Sequence, residues 1–315
     1  MSNKVFAAVA FAVALALAAV TQLIPNDYFF TAAYTVLLFV ILATAWNILG
    51  GYTGYVNFGS AAFFAIGAYT TVFFYNAFKA PLPVGIVAGT LVAGLAGLGL
   101  GYLTLRLRGV FFAIASLALA VVLYVFVVNW DYVGGARGAY VLQPREIPFG
   151  MPRYIHLIYS VQLLMAAFAL VVARAIEKST MGRGLAAIRD DELAAECSGV
   201  PTLRLKIFST MVSCALMGMA GTTFPYYLSY IEPSSAFSLS YAVNSIAMPL
   251  IGGMMSWMGP LIGAVLLGGV QQLVQVTVSS AWNLLIVGVL LVLFVTLAPN
   301  GIMGWVDAWR RRKGR

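Results

Sequence analysis

Charged residues are scarce in this sequence. Asp, Glu, Lys and Arg make up 9% of the 315 residues, and hydrophobic residues make up 62%, whereas about 25% of a soluble domain is charged. Between positions 233 and 306 there is no Asp, Glu, Lys or Arg at all. The composition therefore excludes an ordinary soluble domain and indicates an integral membrane protein.

Other absences restrict the function. The predicted membrane segments contain no ionisable acid or base, which argues against a proton-driven carrier, because such carriers place ionisable groups within the membrane. No G-x-x-x-x-G-K-[ST] motif occurs, so the chain does not bind ATP through a P-loop. The two cysteines, Cys197 and Cys214, have no metal-ligand spacing, and we expect no disulfide, metal or cofactor in this chain.

Long apolar runs fill most of the sequence. We predict ten membrane segments, at residues 5–24, 29–49, 55–74, 82–103, 110–129, 157–173, 207–228, 241–255, 259–278 and 282–298. Each approaches the roughly 20 residues that span a bilayer, except the short eighth. Because backbone groups in lipid must bond internally, the segments must be helices. The sequence predicts an all-α integral membrane protein, one transmembrane domain over residues 1–315, with the first run retained as a helix.

Basic residues are distributed unevenly between the two sides of this topology. If the N-terminus is cytoplasmic and all ten segments cross, only four of the 18 Lys/Arg residues lie outside: Lys79, Arg137, Arg145 and Arg153. Cytoplasmic loops are enriched in Lys and Arg, so both termini are predicted to be cytoplasmic. The basic tail at 310–315 is then an anchor, or a contact to acidic lipid. Topology also explains the net charge of +8, so we expect no nucleic-acid partner.

Two loops are large enough to meet partners. Residues 130–156 form the main outer loop, which is rich in Gly and Pro and therefore irregular. Residues 177–206, which we call the coupling segment, contain five basic and five acidic residues and are predicted to be cytoplasmic. Within it we predict a short helix over 184–199 that stops at Gly199, and a further turn capped by Thr202. Such a segment is typical of a docking surface, although a merely solvated loop would also fit.

Glycine and proline mark two places where membrane helices are predicted to break or re-enter. The first lies in residues 43–70, and the second joins the eighth and ninth segments, around Pro249 and Gly252. Irregular backbone at membrane depth is tolerated only against protein or a water-filled cavity. In the fourth segment, the pairs Gly85/Gly89 and Gly97/Gly101 instead predict close helix packing. Polar residues beside the breaks either line a pathway or join helices; they are Asn47, Asn57, Ser60, Asn244, Gln271 and Gln272.

Three ordered motifs carry a family resemblance. They are AWNILGGYTGYVNFGSAAFFAIGAY (45–69), MGRGLAAIRDDELAAECSGVPTLRLK (181–206) and IGGMMSWMGPLIGAVLL (251–267). They resemble motifs of the permeases of branched-chain amino acid ABC importers, over about residues 30–305. The length and the long outer loop are more similar to the LivM-type subunit than to the LivH-type. Asn57 stands where the family pattern usually has Ser, and Ser60 where it has His, so the substrate could equally be a related solute such as urea, an amide or an aromatic acid.

The resemblance implies the partners and the site residues. It implies a second, homologous permease, two cytoplasmic ATPase subunits that hold ATP-Mg, and a periplasmic or extracellular solute-binding protein, all in or at the bacterial inner membrane. The residues it assigns to ATPase coupling are Arg183, Ala187, Ile188, Arg189, Glu192, Ala195, Glu196 and Gly199. To the translocation pathway we assign residues of the two stretches with predicted helix breaks: Asn47, Asn57, Ser60, Phe63, Phe64, Asn244 and Gln271.

Two other functions compete with a permease subunit. A passive channel or sodium-coupled carrier could use the broken helices and would transport without ATPases. A membrane enzyme could bind magnesium-diphosphate through Asp190, Asp191 and Glu196. That chemistry needs a second acidic cluster, and the outer loop offers only Asp131 and Glu146. We therefore expect a transporter and not an enzyme.

Overall fold

The computed structural model describes residues 3–21, 26–104, 107, 109–142 and 153–277, with residues 285, 288, 289, 292, 293, 296 and 301–304. The helices in this part are α1 (Asn3–Thr21), α2 (Asp27–Thr53), α3 (Ser60–Phe78), α4 (Leu82–Thr104), α5 (Val110–Val128), α6 (Tyr154–Glu177), α7 (Thr180–Asp190), α8 (Glu192–Cys197), α9 (Thr202–Gly221), α10 (Phe224–Leu228), α11 (Pro233–Ala236), α12 (Leu239–Gly252) and α13 (Met258–Thr277). Two-residue strands β1 (Ala139–Tyr140) and β2 (Tyr230–Ile231) pair antiparallel, with Ala139 opposite Ile231.

Eight helical segments of the described chain are long and apolar enough to cross a membrane. They are α1 to α6, α13, and the stretch 202–228 that begins with α9. The prediction of an all-α integral membrane protein is thus confirmed. The eighth predicted segment forms α12, which has only 14 residues, and the tenth predicted segment lies largely outside the described residues.

Several predicted boundaries were wrong by a turn of helix. The third segment was predicted at 55–74, but α3 begins at Ser60, and residues 54–59 before it are not helical. The sixth was predicted at 157–173, but α6 extends from Tyr154 to Glu177 because polar residues at both ends continue the helix. Pro249 does not end α12, and Gly50 and Gly51 lie inside α2, so the breaks fall at 54–59 and 253–257.

Helix α2 is the centre of the molecule. From Leu38 to Thr53 every residue is buried, and the helix packs against α6, α9, α12 and α13. A helix that is apolar on all sides belongs in a core. The aromatic side chain of Trp46 is buried there and donates its indole N–H to the carbonyl of Asn57, 2.9 Å away, which fixes the non-helical stretch against α2.

Glycines allow α3, α4 and α9 to approach closely. A Cβ atom at Gly67 of α3 would lie 1.9 Å from the carbonyl oxygen of Gly218 in α9. At Gly97 of α4 it would lie 2.4 Å from Cβ of Cys214 in α9. Small residues at membrane-helix interfaces permit this backbone approach. The prediction that the glycines of the fourth segment serve packing is confirmed.

The bundle has two chemically different ends. At the end that carries α7 and α8, α6 finishes and α9 begins, so Arg174, Lys178, Arg204 and Lys206 lie there. At the opposite end, which we call the far end, an ion pair joins Arg153 at the start of α6 to Asp27 at the start of α2. The concentration of basic residues at the α7–α8 end agrees with the predicted charge asymmetry.

Candidate functional site: a two-helix coupling segment and a neutral cavity

The coupling segment folds into two short helices. Ser179 caps α7 by accepting a hydrogen bond from the N–H of Gly182, at 3.2 Å. Asp191 then interrupts the helix and caps α8, because its Oδ1 accepts from the N–H groups of Leu193 and Ala194 at 2.9 and 3.1 Å. The prediction of a single helix over 184–199 was therefore wrong. Side chains such as Asp compete with the backbone for hydrogen bonds and so favour caps over helix interiors.

The end of the segment also differs from the prediction. Gly199 has a positive φ of 81° and is exposed, as expected for a helix stop. Thr202, however, caps no turn. It is the first residue of α9, and its hydroxyl donates to Oε1 of Glu196 at 2.8 Å. This bond fastens the end of α8 to the start of α9.

Some of the predicted coupling residues face inward. Ile188 and Ala195 are buried, and they pack in one cluster with Leu49, Tyr55 and Phe112. Ala187 is partly buried beside the same cluster. These residues attach the segment to the ends of α2 and α5. Their side chains are turned away from any partner that approaches α7 and α8 from outside.

Glu192 also points inward. Its carboxylate pairs with the ammonium of Lys206, at 2.5 Å, and accepts a hydrogen bond from the hydroxyl of Tyr55. The two charged side chains are only 14% and 6% exposed. Because Tyr55 lies directly after α2, this ion pair joins α8, α9 and the non-helical stretch 54–59. Breaking such a pair on one side leaves an uncompensated buried charge.

The remaining predicted coupling residues lie at or near the surface. Arg183, Glu196 and Gly199 are exposed. Arg189 is partly buried, pairs with Asp190 at 3.1 Å, and lies against Gly54, where a Cβ would be 3.3 Å from its Cγ. Since Gly54 has a φ of 79°, the chain turns there in a conformation that favours glycine.

Sequence reasoning missed the apolar part of this surface. Met181, Leu193 and Leu203 are 46%, 58% and 54% exposed, and in the sequence they belong to the same segment as Asp190, Asp191 and Arg204. Their position in the sequence could have predicted this exposure. In a short, highly charged segment, few apolar side chains can be buried in a core. Exposed apolar side chains with a charged rim are typical of a protein-binding surface.

A cavity of about 420 Å³ lies between α2, α10, α12 and α13. Gln271 donates its amide N–H to Oδ1 of Asn244 at 2.8 Å on its wall. The rings of Tyr34 and Tyr227 stack on another wall, with centroids 4.1 Å apart. The described lining residues include no Asp, Glu, Lys, Arg or His; they are Tyr34, Thr35, Leu38, Phe39, Phe224, Tyr227, Leu228, Ser235, Ser238, Ser240, Tyr241, Asn244, Gln271, Gln272 and Gln275.

The structure brings together only some of the predicted pathway residues. Asn244 and Gln271 face the cavity, and Phe64 packs behind it, with its ring centroid 4.6 Å from that of Tyr241. Ser60, which is not part of the lining, bonds Ser245 at 2.9 Å. It thereby connects α3 to α12 one residue from Asn244.

The other predicted pathway residues make contacts within the bundle. Asn57 Oδ1 accepts from the N–H of Gly59 at 2.8 Å, just before α3. Asn47 donates to the carbonyl of Ser256 at 3.5 Å, in the turn between α12 and α13. Phe63 of α3 is fully buried, and its backbone carbonyl lies against Gly218 of α9. Each of these contacts fixes a helix break or a helix interface.

Residues 28–295 match the family model described as branched-chain amino acid transport system / permease component. The chain belongs to this family. The match covers the two-helix coupling segment and every residue that lines the cavity. The permease is thus a multi-pass protein of the inner membrane.

Relatives of the permease agree with this assignment. It is 26% identical over 291 residues to the high-affinity branched-chain amino acid transport system permease protein LivM of Salmonella typhimurium, an alignment that covers 85% of this chain and 68% of the relative. It is 24% identical to the probable LivH permease of Methanocaldococcus jannaschii, covering 88% and 91%. The ribose import permease RbsC of Haemophilus influenzae is 29% identical over 44% of this chain and 45% of its own. No solved structure matches.

The acidic residues of the coupling segment give little support to the hypothesis of a membrane enzyme. Asp191 caps α8, Asp190 pairs with Arg189, and Glu196 accepts from Thr202. Within the described ranges, no group of three His, Cys, Asp or Glu side chains is placed to hold a metal ion. The acids that the sequence suggested for magnesium-diphosphate are occupied by contacts that shape the coupling segment.

Proposed function

We propose that this chain is a membrane-spanning permease subunit of an ATP-driven importer for branched-chain amino acids or a related small polar solute, such as urea, an amide or an aromatic acid. The observation that carries the proposal is the two-helix segment, which presents an exposed apolar and charged surface while buried contacts tie it to the core. ATP hydrolysis takes place on two separate ATPase subunits. A second, homologous permease and a solute-binding protein complete the importer.

The proposed ATPase contact is the outer surface of α7, α8 and the start of α9. Leu193 and Leu203 are its apolar centre, and Arg183 and Glu196 are charged groups near its edge. Central apolar anchors with a polar rim usually dominate the energy of a protein interface. Ile188, Ala195 and Glu192 have a different role in this proposal, because they transmit movement of α8 to α9 and to the stretch 54–59.

The proposed solute pathway includes the cavity beside α12 and α13. Its amide, hydroxyl and aromatic groups match a compact solute without net charge, either a zwitterion or a neutral amide. An isolated ion would find no opposite charge among the described lining residues, and burying an unpaired charge is costly. Because relatives are named for ribose and arabinose, we include neutral sugars among the candidate solutes.

A sodium-coupled carrier or passive channel is the second candidate. The two helix breaks at 54–59 and 253–257 favour it, because carbonyl groups at broken helices can coordinate sodium. This candidate predicts transport by the chain alone, and the importer predicts that transport needs ATP and the ATPase subunits.

Reconstituted uptake separates the two candidates. The chain is co-expressed with its neighbouring permease, ATPase and binding-protein genes, placed in liposomes, and tested with leucine, urea, amides, aromatic acids and ribose. The importer predicts ATP-dependent uptake of one solute that is lost when Leu193 is replaced by Asp. Uptake by this chain alone, indifferent to ATP, would establish the carrier or channel instead.

A further inference from the structure

The carboxylate of Glu177 joins three parts of the molecule. Glu177 is the last residue of α6 and is half-buried. Its Oε2 accepts a hydrogen bond from the backbone N–H of Trp257 at 2.5 Å and from the hydroxyl of Tyr52 at 3.3 Å. Tyr52 lies in the last turn of α2, and Trp257 lies in the turn 253–257 that connects α12 to α13. We call α12, this turn and α13 the hairpin.

Other contacts hold the same turn at the α7–α8 end. The indole of Trp257 packs edge-on against Phe6 of α1, with centroids 4.9 Å apart. The buried guanidinium of Arg174 lies 3.9 Å from the Phe6 ring centroid and 5.4 Å from that of Trp257. Gly51 also touches the turn, since a Cβ there would be 2.6 Å from the carbonyl oxygen of Met254. Parts of α1, α2 and α6 therefore all meet the turn.

The coupling segment begins immediately after this contact. Only Lys178 separates Glu177 from Ser179, the residue that caps α7. A displacement of α7 therefore acts on the end of α6, where Glu177 lies, through only two intervening residues. The hairpin that it holds carries Asn244 on α12 and Gln271 on α13, both in the cavity wall.

We propose that Glu177 is a positioning residue that holds the hairpin turn in place until α7 moves, and so couples the ATPase subunits to the cavity. The proposal rests on the proposed function, because it assigns the moving force to those subunits. When α7 is displaced, the bonds from Trp257 and Tyr52 break together and the turn is released. Hydrogen bonds to a carboxylate are about twice as strong as neutral ones, so a charged acceptor suits this role.

The test measures solute uptake per ATP hydrolysed in the reconstituted complex. Replacement of Glu177 by Ala should lower this ratio about fivefold to tenfold, because coupling residues typically change coupling by that order. The Glu177→Gln variant keeps an acceptor oxygen and should recover part of the ratio. A residue with only a structural role would lower uptake and hydrolysis together and leave the ratio unchanged.

A second readout follows the turn itself. Met254 is partly buried in the turn, so Met254→Cys in a Cys197→Ser background reports its opening through the rate of maleimide labelling. In the wild-type complex, ATP should accelerate labelling. In Glu177→Ala labelling should be fast, at least threefold above the resting rate, and independent of ATP.

Asp27→Asn is the matched control. Like Glu177→Ala, it removes a carboxylate charge that links α2 and α6, but at the far end, through Arg153. Its uptake per ATP and its labelling rate should stay at wild-type values. A Glu177→Ala variant that behaves like this control would overturn the proposal. If the wild type shows no ATP-driven uptake, the proposed function fails, and labelling of Glu177→Ala against Asp27→Asn in the chain alone still decides whether Glu177 holds the turn.

Discussion

The coupling segment and the cavity both place polar side chains in protected positions, but with different chemistry. In the coupling segment, the charged groups Glu192 and Lys206 pair under the surface. In the cavity, amides, hydroxyls and aromatic rings form a lining without Asp, Glu, Lys, Arg or His among its described residues. A buried ion pair fixes one arrangement strongly, because separating it is costly. Neutral side chains bind a solute more weakly than charged ones, so the solute can dissociate.

This difference agrees with the separate roles that we propose for the two regions. In the proposed importer the coupling segment transmits a displacement without deforming, and a rigid ionic connection to α9 and Tyr55 suits that role. A pathway must release what it binds, so its groups must not hold the solute tightly. The following predictions test whether the two kinds of polar contact can be exchanged, from the largest expected effect to the smallest.

Removing the positive charge beneath α8 should have the largest effect. Lys206→Met leaves Glu192 buried without its cation, and this should lower the free energy of unfolding by about 3–5 kcal/mol. Thermal unfolding in detergent measures it. The control is Arg189→Met, which breaks the Arg189–Asp190 pair at the surface and should cost at most about 1 kcal/mol. Adding Glu192→Gln to Lys206→Met should restore most of the loss, and no restoration would contradict the ion-pair argument.

Placing a charge on the apolar centre of the docking surface should have the next largest effect. Leu193→Asp should weaken ATPase binding by about 2 kcal/mol, roughly 30-fold, as expected for a central anchor. Co-purification and binding to the isolated ATPase subunits measure it. Leu142→Asp is a matched control, because Leu142 is also highly exposed but follows β1, away from the coupling segment. Equal losses in both variants would show that Leu193 is not part of the interface.

Placing a charge in the cavity reverses its chemistry. Asn244→Asp keeps the size of the side chain and can still accept from Gln271, but it adds a negative charge to a neutral lining. We expect uptake to fall about tenfold, with the ATPase rate unchanged, because solute and charge must then share a poorly solvated site. Asn76→Asp makes the same change on an exposed amide that bonds Tyr132, and it should transport normally. Normal uptake by Asn244→Asp would remove this cavity from the pathway.

The smallest effect is expected where a neutral bond joins two membrane helices. Ser60→Ala removes the 2.9 Å bond to Ser245 between α3 and α12. Such interhelical bonds average about 0.6 kcal/mol in membranes, so thermal unfolding should change little. Ser235→Ala, whose hydroxyl bonds the local carbonyl of Glu232, provides the baseline. A loss near that of Lys206→Met would contradict the distinction between neutral and ionic contacts.

The sequence predicted the membrane fold well because long apolar runs leave helices as the only way to satisfy the backbone. It predicted the positions of the breaks less well. Gly50, Gly51 and Gly54 lie in the same glycine-rich stretch, yet of these three only Gly54 adopts a positive φ. The other two serve close contacts within α2 and with the hairpin turn. Local composition cannot distinguish a glycine that turns the chain from one that admits a neighbour.

The sequence also did not predict which way the side chains of the coupling segment point. The six residues of α8 span less than two turns, too few to establish which face is buried. The direction of Glu192 therefore depended on Lys206, fourteen residues away, and on Tyr55, 137 residues away. Asn244 and Gln271 were assigned to the pathway as polar residues near the break, and the hairpin places them in contact. Asn47 and Asn57 are also polar residues near a break, but they form hydrogen bonds to the backbone of Ser256 and Gly59.

Glycine contacts join two separate sets of helices, α3, α4 and α9 in one set and α12 and α13 in the other. Gly67, Gly97 and Gly218 bring the backbones of α3, α4 and α9 so near that sliding would drive main-chain atoms together. Gly252 and Gly263 do the same between α12 and α13, where a Cβ would lie 1.8 Å from a facing carbonyl oxygen. Each set must move as a unit, with α2 between them. We therefore expect movement during transport to occur between these two sets of helices, about α2, and we expect hydrogen exchange to be slowest along α2.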